Sequence, residues 1–204
     1  MSDPDDRSGL EAQGPASTPR LQPRQQPRDK AAASAGQAPQ RPHNIKLDLR
    51  QLEAAGLIIK ENDKSALSEE YRAIKRPLLL NAFSTGAAAV PNGNLIMITS
   101  ALPGEGKTFT AINLAMSIAL EKDKTVLLVD ADISRPVISR YLSEEPPRGL
   151  VDYLINDSLP LSDVLVRTEI PKLRILPAGQ RTAQSTELLA SDNMRRLTEE
   201  LAVR

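Results

Sequence analysis

The chain has 204 residues, of which 40% are hydrophobic, and this is enough for one ordinary domain with a core and a tail. Its 26 basic and 26 acidic residues give a formal net charge of zero and only 2% of residues are aromatic, so nucleic-acid binding is disfavoured. Cysteine is absent and the one histidine is His43, which excludes disulfides, thiol nucleophiles, histidine-based metal sites and catalytic triads.

Residues 1–44 form the first predicted segment, a polar tail. It is rich in Pro, Gln, Arg, Ala and Ser and has no hydrophobic periodicity, so it is predicted to be disordered. Its start lacks the basic and apolar regions of a signal peptide, and no later apolar run approaches the roughly 20 residues that span a bilayer. We therefore expect a cytoplasmic chain with no transmembrane segment of its own.

Residues 45–90 are predicted to form N-terminal helices. Apolar residues between 45 and 59 indicate a short helix that stops near Gly56. A longer helix is predicted over residues 65–83, with apolar residues at helical spacing and Pro77 as a kink or break. A charged stripe on this helix consists of Glu69, Arg72 and Lys75, and from the residues alone it is a solvent face with ion pairs.

From residue 91 onward, apolar strands alternate with helices. Continuous apolar runs at 94–99, 125–129 and 173–176 predict buried strands, and apolar spacing predicts a helix over 107–121. Shorter helical patterns fit residues 137–142, 150–156 and 191–203, the last with Ser191 as its N-cap. Residues 91–204 are therefore predicted to be an α/β domain whose parallel sheet has helices on both faces.

The loop between the first strand and its helix has the phosphate-binding pattern G-x-x-x-x-G-K-[ST]. Residues 101–108 read ALPGEGKT, with Ala101 where the first glycine normally stands. Backbone amides at such a turn point inward, and the helix N-terminus adds the positive end of its dipole, so the loop holds phosphates. Gly104 and Gly106 permit close approach, Lys107 reaches the β and γ phosphates, and Thr108 offers its hydroxyl to Mg²⁺. The predicted cofactors are ATP and Mg²⁺.

Two acids, Asp130 and Asp132, follow the second strand at its carboxyl end, where an open parallel sheet places its ligand. They could hold Mg²⁺ or accept a proton from an attacking hydroxyl, or else each only caps the next helix. Arg135 either neutralises phosphate charge or lies on the surface. The predicted nucleotide contacts are Pro103, Gly104, Glu105, Gly106, Lys107, Thr108, Phe109 and Arg135. The predicted catalytic residues are Lys107, Asp130 and Asp132, and the predicted magnesium ligands are Thr108, Asp130 and Asp132.

The segments LIMITSALPGEGKT and VLLVDADISRP resemble the Walker A and A′ elements of the bacterial tyrosine kinases (BY-kinases) of capsule and exopolysaccharide systems. SALSEEYRAIKRPLLLNA, LRILPAG and TELLAS look particularly like the exosortase-associated tyrosine autokinases. The resemblance covers roughly residues 45–204 and implies a P-loop kinase fold. It also implies an ATP-dependent tyrosine autokinase that regulates exopolysaccharide synthesis and export. In it, Lys107 binds phosphate, Thr108 binds Mg²⁺, and Asp130 and Asp132 serve Mg²⁺ and the tyrosine hydroxyl.

The same resemblance implies partners. In the family, a helix with the pattern E-x-x-R-x-x-R packs neighbouring subunits into a ring, and Glu69, Arg72 and Lys75 match it with lysine for the last arginine. A membrane polysaccharide co-polymerase is the implied activator, which would place the chain peripherally at the inner membrane.

The family's apolar strand ending in D-x-P-P and its tyrosine-rich tail are not among the 204 residues. We therefore expect a domain that is incomplete at its carboxyl end, with an open sheet edge beside the P-loop strand. Such a domain is expected to fold marginally, to aggregate, or to pair with something that completes the sheet.

Two other functions stay open. One is a nucleotide-binding assembly module that switches partners without phosphorylating anything. The other is a partitioning-type ATPase, which is disfavoured because Leu102 stands where those ATPases have a signature lysine. The tyrosines at 71, 141 and 153 are expected to pack rather than to replace the missing tail.

Overall fold

The computed structural model describes residues 44–57, 64–146, 148–183 and 185–204. These residues fall within one compact unit, residues 38–204. The predicted disordered tail lies outside the described residues except for Asn44, and so does the end of the first predicted helix. No helix in the described part of the chain is both long enough and apolar enough to cross a membrane.

The described residues form an α/β fold. The helices are α1 (Leu49–Ala54), α2 (Ala66–Phe83), α3 (Lys107–Ala119), α4 (Leu150–Ile155), α5 (Ser185–Leu189) and α6 (Asp192–Ala202). The strands are β1 (Val126–Val129), β2 (Val166–Arg167) and β3 (Leu173–Leu176), and short 3₁₀ turns occupy Gly86–Ala88, Ile138–Tyr141 and Leu161–Asp163.

Capping side chains fix where three helices begin. The Asp48 carboxylate accepts the amide of Gln51 at 3.1 Å before α1, and the Ser65 hydroxyl accepts the amide of Ser68 at 3.2 Å before α2. Ser191 caps α6 in the same way, which confirms its predicted role. Helix α2 runs continuously through Pro77, so the alternative of a break there is wrong.

The sheet has the order β1-β3-β2. β1 and β3 pair in parallel, with Val126 opposite Leu173 and Val129 opposite Leu176, which confirms the predicted parallel arrangement. β2 pairs antiparallel with the other edge of β3. This strand was not predicted, because two residues are too few to show a period.

Helices cover both faces of the sheet. Leu128 and Ile175 point to one side, where they pack with Met116 of α3 and Tyr71 of α2. Leu176 points to the other side and packs with helices α4 and α6, where Leu197 is fully buried. Met194 and Leu201 pack against the same cluster, so the predicted inward face of the last helix is confirmed. The alternation along β1 and β3 is therefore between two buried faces, as expected for a covered parallel sheet.

The predicted strand at residues 94–99 is not formed. Residues 95–100 belong to no strand, and Leu95, Ile96 and Met97 are 38%, 39% and 85% exposed. Asn94 is held instead by the end of α6, where its side-chain amide donates to the carbonyl of Ala202 at 3.1 Å. A strand forms only when its backbone groups pair with a neighbouring strand. The described sheet contains only β1, β3 and β2, and residues 94–99 pair with none of them. The prediction of a strand here is therefore wrong: the run has the apolar composition of a strand but pairs with no strand among the described residues.

Candidate nucleotide-binding site

The glycine loop leads directly into α3, the helix that starts at Lys107. Gly104 and Gly106 have φ angles of +83° and +88°, in the left-handed region that strains any residue with a Cβ. No atom lies within 4 Å of a Cβ built at either position, so the backbone angle and not a lack of space requires glycine. The amide of Thr110 donates to the carbonyl of Gly106 at 2.8 Å and closes the first helical turn. The loop amides therefore lie at the positive end of a 13-residue helix.

Two charged side chains of the loop are satisfied by the loop itself. The Lys107 ammonium donates to the hydroxyl of Ser100 at 2.9 Å and to the carbonyl of Leu102 at 3.2 Å. The Glu105 carboxylate accepts the amide of Leu102 at 3.0 Å, and this bond holds the pKa of Glu105 below its usual range. A phosphate bound in the loop would compete for the same ammonium and amide groups.

Asp130, at the carboxyl end of β1, is a buried carboxylate with two backbone partners. It is 5% exposed, and its oxygens accept the amides of Asp132 and Ile138, each at 3.2 Å. Burial raises the pKa of Asp130 above its ordinary value, and these amide bonds oppose the shift. Asp130 therefore organises the backbone from residue 130 to residue 138, which is the capping role left open from the sequence.

Asp132 is the more accessible of the two acids. Its side chain is exposed, and one oxygen accepts the amide of Arg135 at 3.0 Å. Arg135 is itself exposed. Capping and ligand binding are compatible for Asp132, because a carboxylate has about four lone-pair sites.

Four predicted site residues line one open groove of about 1690 Å³: Lys107, Thr108, Asp130 and Asp132. Residues 94–99 and β1 also line the groove, and its volume is larger than the roughly 300–1,000 Å³ of ordinary ligand pockets. The remaining predicted contacts, Pro103, Gly104, Glu105, Gly106, Phe109 and Arg135, do not line this groove. The Phe109 ring lies against Gly56, where an added Cβ would come within 3.8 Å of it.

The donor atoms in the groove suit Mg²⁺. A threonine hydroxyl and carboxylates are hard oxygen ligands, and Mg²⁺ usually keeps waters and phosphate oxygens beside one or two protein ligands. In the described part of the chain, no group of three or more His, Cys, Asp and Glu residues could hold a metal without a ligand. Thr108 and Asp132 supply the types of oxygen atom that a magnesium ion carried by nucleotide phosphates takes from a protein.

The charged stripe predicted on α2 does not lie on one face, and the interpretation of all three residues as a solvent face is wrong for Lys75. Glu69 and Arg72 form an ion pair on the outer side, with side chains 63% and 32% exposed. Lys75 is only 6% exposed, and its ammonium lies 2.7 Å from the carbonyl of Ser117 and 2.6 Å from the carboxylate of Glu121. The sequence does contain the signal for this burial, because Lys75 falls on the helical stripe of the buried Ser68 and Tyr71.

Known proteins resemble this chain along most of its described length. A family model described as an AAA domain matches residues 93–203. The tyrosine-protein kinase ptk of Acinetobacter johnsonii is 29% identical over 170 residues, which are 83% of this chain and 22% of that protein. The succinoglycan biosynthesis transport protein ExoP of Rhizobium meliloti (strain 1021) is 36% identical over 145 residues, or 70% of this chain and 17% of that protein.

A solved structure shows the same fold. The kinase domain of the Escherichia coli tyrosine kinase ETK superposes with a TM-score of 0.57 and 31% sequence identity, covering 66% of this chain and 50% of that domain. The chain thus spans about a fifth of the length of the two curated relatives and half of the solved kinase domain. With the phosphate loop and the acids after β1 in one groove, these matches show that the chain belongs to the bacterial tyrosine kinase (BY-kinase) family.

Proposed function

We propose that this chain is the nucleotide-binding part of a tyrosine autokinase that regulates exopolysaccharide or capsule synthesis and export. The observation that carries the proposal is the shared groove, which is lined by Lys107 and Thr108 at the start of α3 and by Asp130 and Asp132 after β1. A groove that contains both a positive helix end and a pair of carboxylates is suited to a phosphate chain carrying a divalent cation. The name of ExoP, a transport protein of succinoglycan biosynthesis, supports the connection to exopolysaccharide.

The proposed reaction transfers the γ-phosphoryl group of ATP to a tyrosine. The tyrosine oxygen attacks phosphorus, the bond to the bridging oxygen of ADP breaks, and the phenolic proton passes to a carboxylate. Lys107 holds the phosphates, while the exposed Asp132 is the better placed acid to accept the proton. Asp130 supports it by accepting the amide of Asp132. Mg²⁺, held by Thr108 and the acids, would neutralise the charge on the phosphate oxygens.

Partners and location belong to the same proposal. Self-association into a ring would use the outer face of α2, where Glu69 and Arg72 are accessible and Lys75 is not. A membrane polysaccharide co-polymerase would activate the kinase and hold an otherwise cytoplasmic chain at the inner membrane. In this arrangement residues 1–44 are a tail, residues 45–90 form the assembly segment, and residues 91–204 form part of the kinase domain.

A second candidate is an assembly module that binds nucleotide without transferring phosphate. One observation favours it: both oxygens of Asp130 are engaged by backbone amides, with which a magnesium ion or a tyrosine proton would have to compete. Both candidates predict binding of Mg-ATP, and they differ only in the chemical step.

Transfer of radiolabel from [γ-³²P]ATP, with detection of phosphotyrosine, separates the two candidates. The wild-type chain is compared with Lys107→Ala and with Asp132→Asn, whose amide keeps an acceptor for the amide of Arg135. Label on tyrosine that is lost in both variants supports the kinase. Binding of Mg-ATP without label on any tyrosine, either in the chain or in an added tyrosine-rich peptide, supports the assembly module and would refute kinase activity for this chain.

A further inference from the structure

Lys75 is an unusual residue for the middle of a helix face, because its ammonium is almost completely removed from water. Burying a charged group is costly unless it is paired and hydrogen-bonded. Both conditions are met here, through the 2.7 Å bond to the Ser117 carbonyl and the 2.6 Å ion pair with Glu121. The side chain is therefore committed to contacts within its own chain.

The partners of Lys75 lie at the carboxyl end of α3. In a continuing α-helix, the Glu121 amide would bond to the Ser117 carbonyl, but it donates instead to the carbonyl of Ile118 at 2.9 Å. Lys75 supplies the Ser117 carbonyl with a donor from another helix. A cation at this end of α3 also faces the negative end of the helix dipole.

Helix α3 connects this contact to the glycine loop. Its 13 residues span about 20 Å, with the Lys75 contact at one end and the loop amides at the other. Helix α2 packs along α3, and its outer side carries Glu69 and Arg72. A shift in the position of α2 would therefore be transmitted to the phosphate loop through α3, which is a rigid helix.

We propose that Lys75 is a positioning residue that clamps the carboxyl end of α3 to α2, and thereby fixes the phosphate loop relative to the outer face of α2. The proposal rests on the proposed nucleotide binding at that loop. It assigns to Lys75 a role inside the subunit, distinct from contact with a neighbouring subunit. Binding of a neighbouring subunit to the outer face of α2 and binding of nucleotide to the loop are then energetically coupled.

The test compares four single variants of the full chain: Lys75→Met, Lys75→Arg, Glu121→Gln and, as a matched control, the exposed neighbour Lys122→Met. Affinity is measured by titration with ADP labelled with a fluorophore on its ribose, in the presence of Mg²⁺. Hydrogen exchange of the amides of residues 101–108 is measured without nucleotide, and a thermal melt checks that each variant is folded.

We expect Lys75→Met to weaken ADP binding about fivefold or more, which is the low end of the coupling between linked sites. We also expect it to speed hydrogen exchange of the loop amides. Lys75→Arg is expected to restore both properties, Glu121→Gln to have a smaller effect, and Lys122→Met to have none. Adding Glu121→Gln to Lys75→Met should cause little further loss, because the pair is already broken.

A folded Lys75→Met variant with wild-type affinity and wild-type loop exchange would overturn the proposal. If Lys75→Met does not fold, Glu121→Gln decides, since it keeps the Ser117 contact while removing the ion pair, and unchanged loop exchange in that variant refutes the coupling. If the wild type binds no ADP but Lys75→Met speeds loop exchange, the clamp stands and the proposed nucleotide function fails.

Discussion

At the scale of single residues, Asp130 and Asp132 after β1 differ in how much each side chain stabilises the local backbone. Asp130 holds two backbone amides from a buried position, whereas Asp132 accepts one amide from an exposed position. Loss of activity on replacing Asp130 would therefore not by itself identify a magnesium ligand. Stability has to be measured beside activity to separate the two roles.

Replacement of each acid by alanine should separate them. Asp130→Ala leaves buried amides without an acceptor, so the free energy of unfolding should fall by about 2 kcal/mol. Asp132→Ala removes only an exposed capping bond and should cost less than about 1 kcal/mol. Urea denaturation of the two variants measures both values. Equal losses in the two variants would contradict the capping role assigned to Asp130.

The phosphate loop was the part of the site that the sequence predicted best. The phosphate loop is a local sequence pattern, and the left-handed angles at Gly104 and Gly106 are the backbone state for which glycine is needed. The burial of Lys75 was harder to predict, because two patterns in the sequence conflict. The charged motif predicts an exposed side chain, whereas the helical spacing from Ser68 and Tyr71 predicts a buried one. Its partners Ser117 and Glu121 are 42 and 46 residues away, a separation that no local pattern encodes.

At the scale of elements, the longer helices followed from the sequence, whereas the short helices and the strands did so only in part. Helix α5 was not predicted, and the helical pattern at residues 137–142 forms a 3₁₀ turn at Ile138–Tyr141. Helices α2, α3 and α6 have their own hydrogen bonds and periodicity, and α2 and α6 also have side-chain caps, so local information is sufficient. A strand depends on a partner that is distant in sequence. This explains why residues 94–99 have strand-like composition without forming a strand, and why the two-residue β2 was missed.

The ion pair between α2 and α3 should make stability depend on pH in a defined direction. The hydrogen bond from Lys75 lowers the pKa of Glu121 below its ordinary value of 4.5. A carboxyl group with a lowered pKa in the folded state stabilises the fold above the ordinary value, and this stabilisation is lost as pH falls through the folded value.

We therefore expect wild type to unfold at higher urea than Glu121→Gln at neutral pH, and the difference to shrink as pH falls below 4.5. The measurement is the difference in unfolding free energy between the two proteins across that range. Because the Glu121 side chain is 42% exposed, the difference will be modest. A difference that stays constant with pH would contradict the ion pair.

At the scale of the whole molecule, the main feature is the groove that residues 94–99 and β1 both line. β1 is an edge of the sheet, and the exposed side chains of Leu95, Ile96 and Met97 line the same groove. An unpaired strand edge beside exposed apolar side chains is a template for association. If the domain self-associates as expected from the sequence, the edge of β1 and the exposed side chains of residues 95–97 are the surface that we expect to mediate it.

Met97→Asp tests that location. Because Met97 is 85% exposed, the replacement should leave the melting temperature nearly unchanged while reducing self-association measured by light scattering. Val203→Asp, at a residue that is 86% exposed and does not line the groove, is the matched control. Equal effects of the two variants would show that general surface charge, and not the groove, controls association.

Isothermal titration of the wild-type chain and of Lys107→Ala with Mg-ATP tests most directly whether the loop at residues 101–108 binds the nucleotide. The replacement leaves the α3 backbone in place, so circular dichroism should be unchanged in the variant. We expect magnesium-dependent binding by wild type that weakens by at least about tenfold in Lys107→Ala, because the ammonium is a point charge on the phosphates. A folded wild type that binds no ATP, or a variant that binds equally well, would contradict the account.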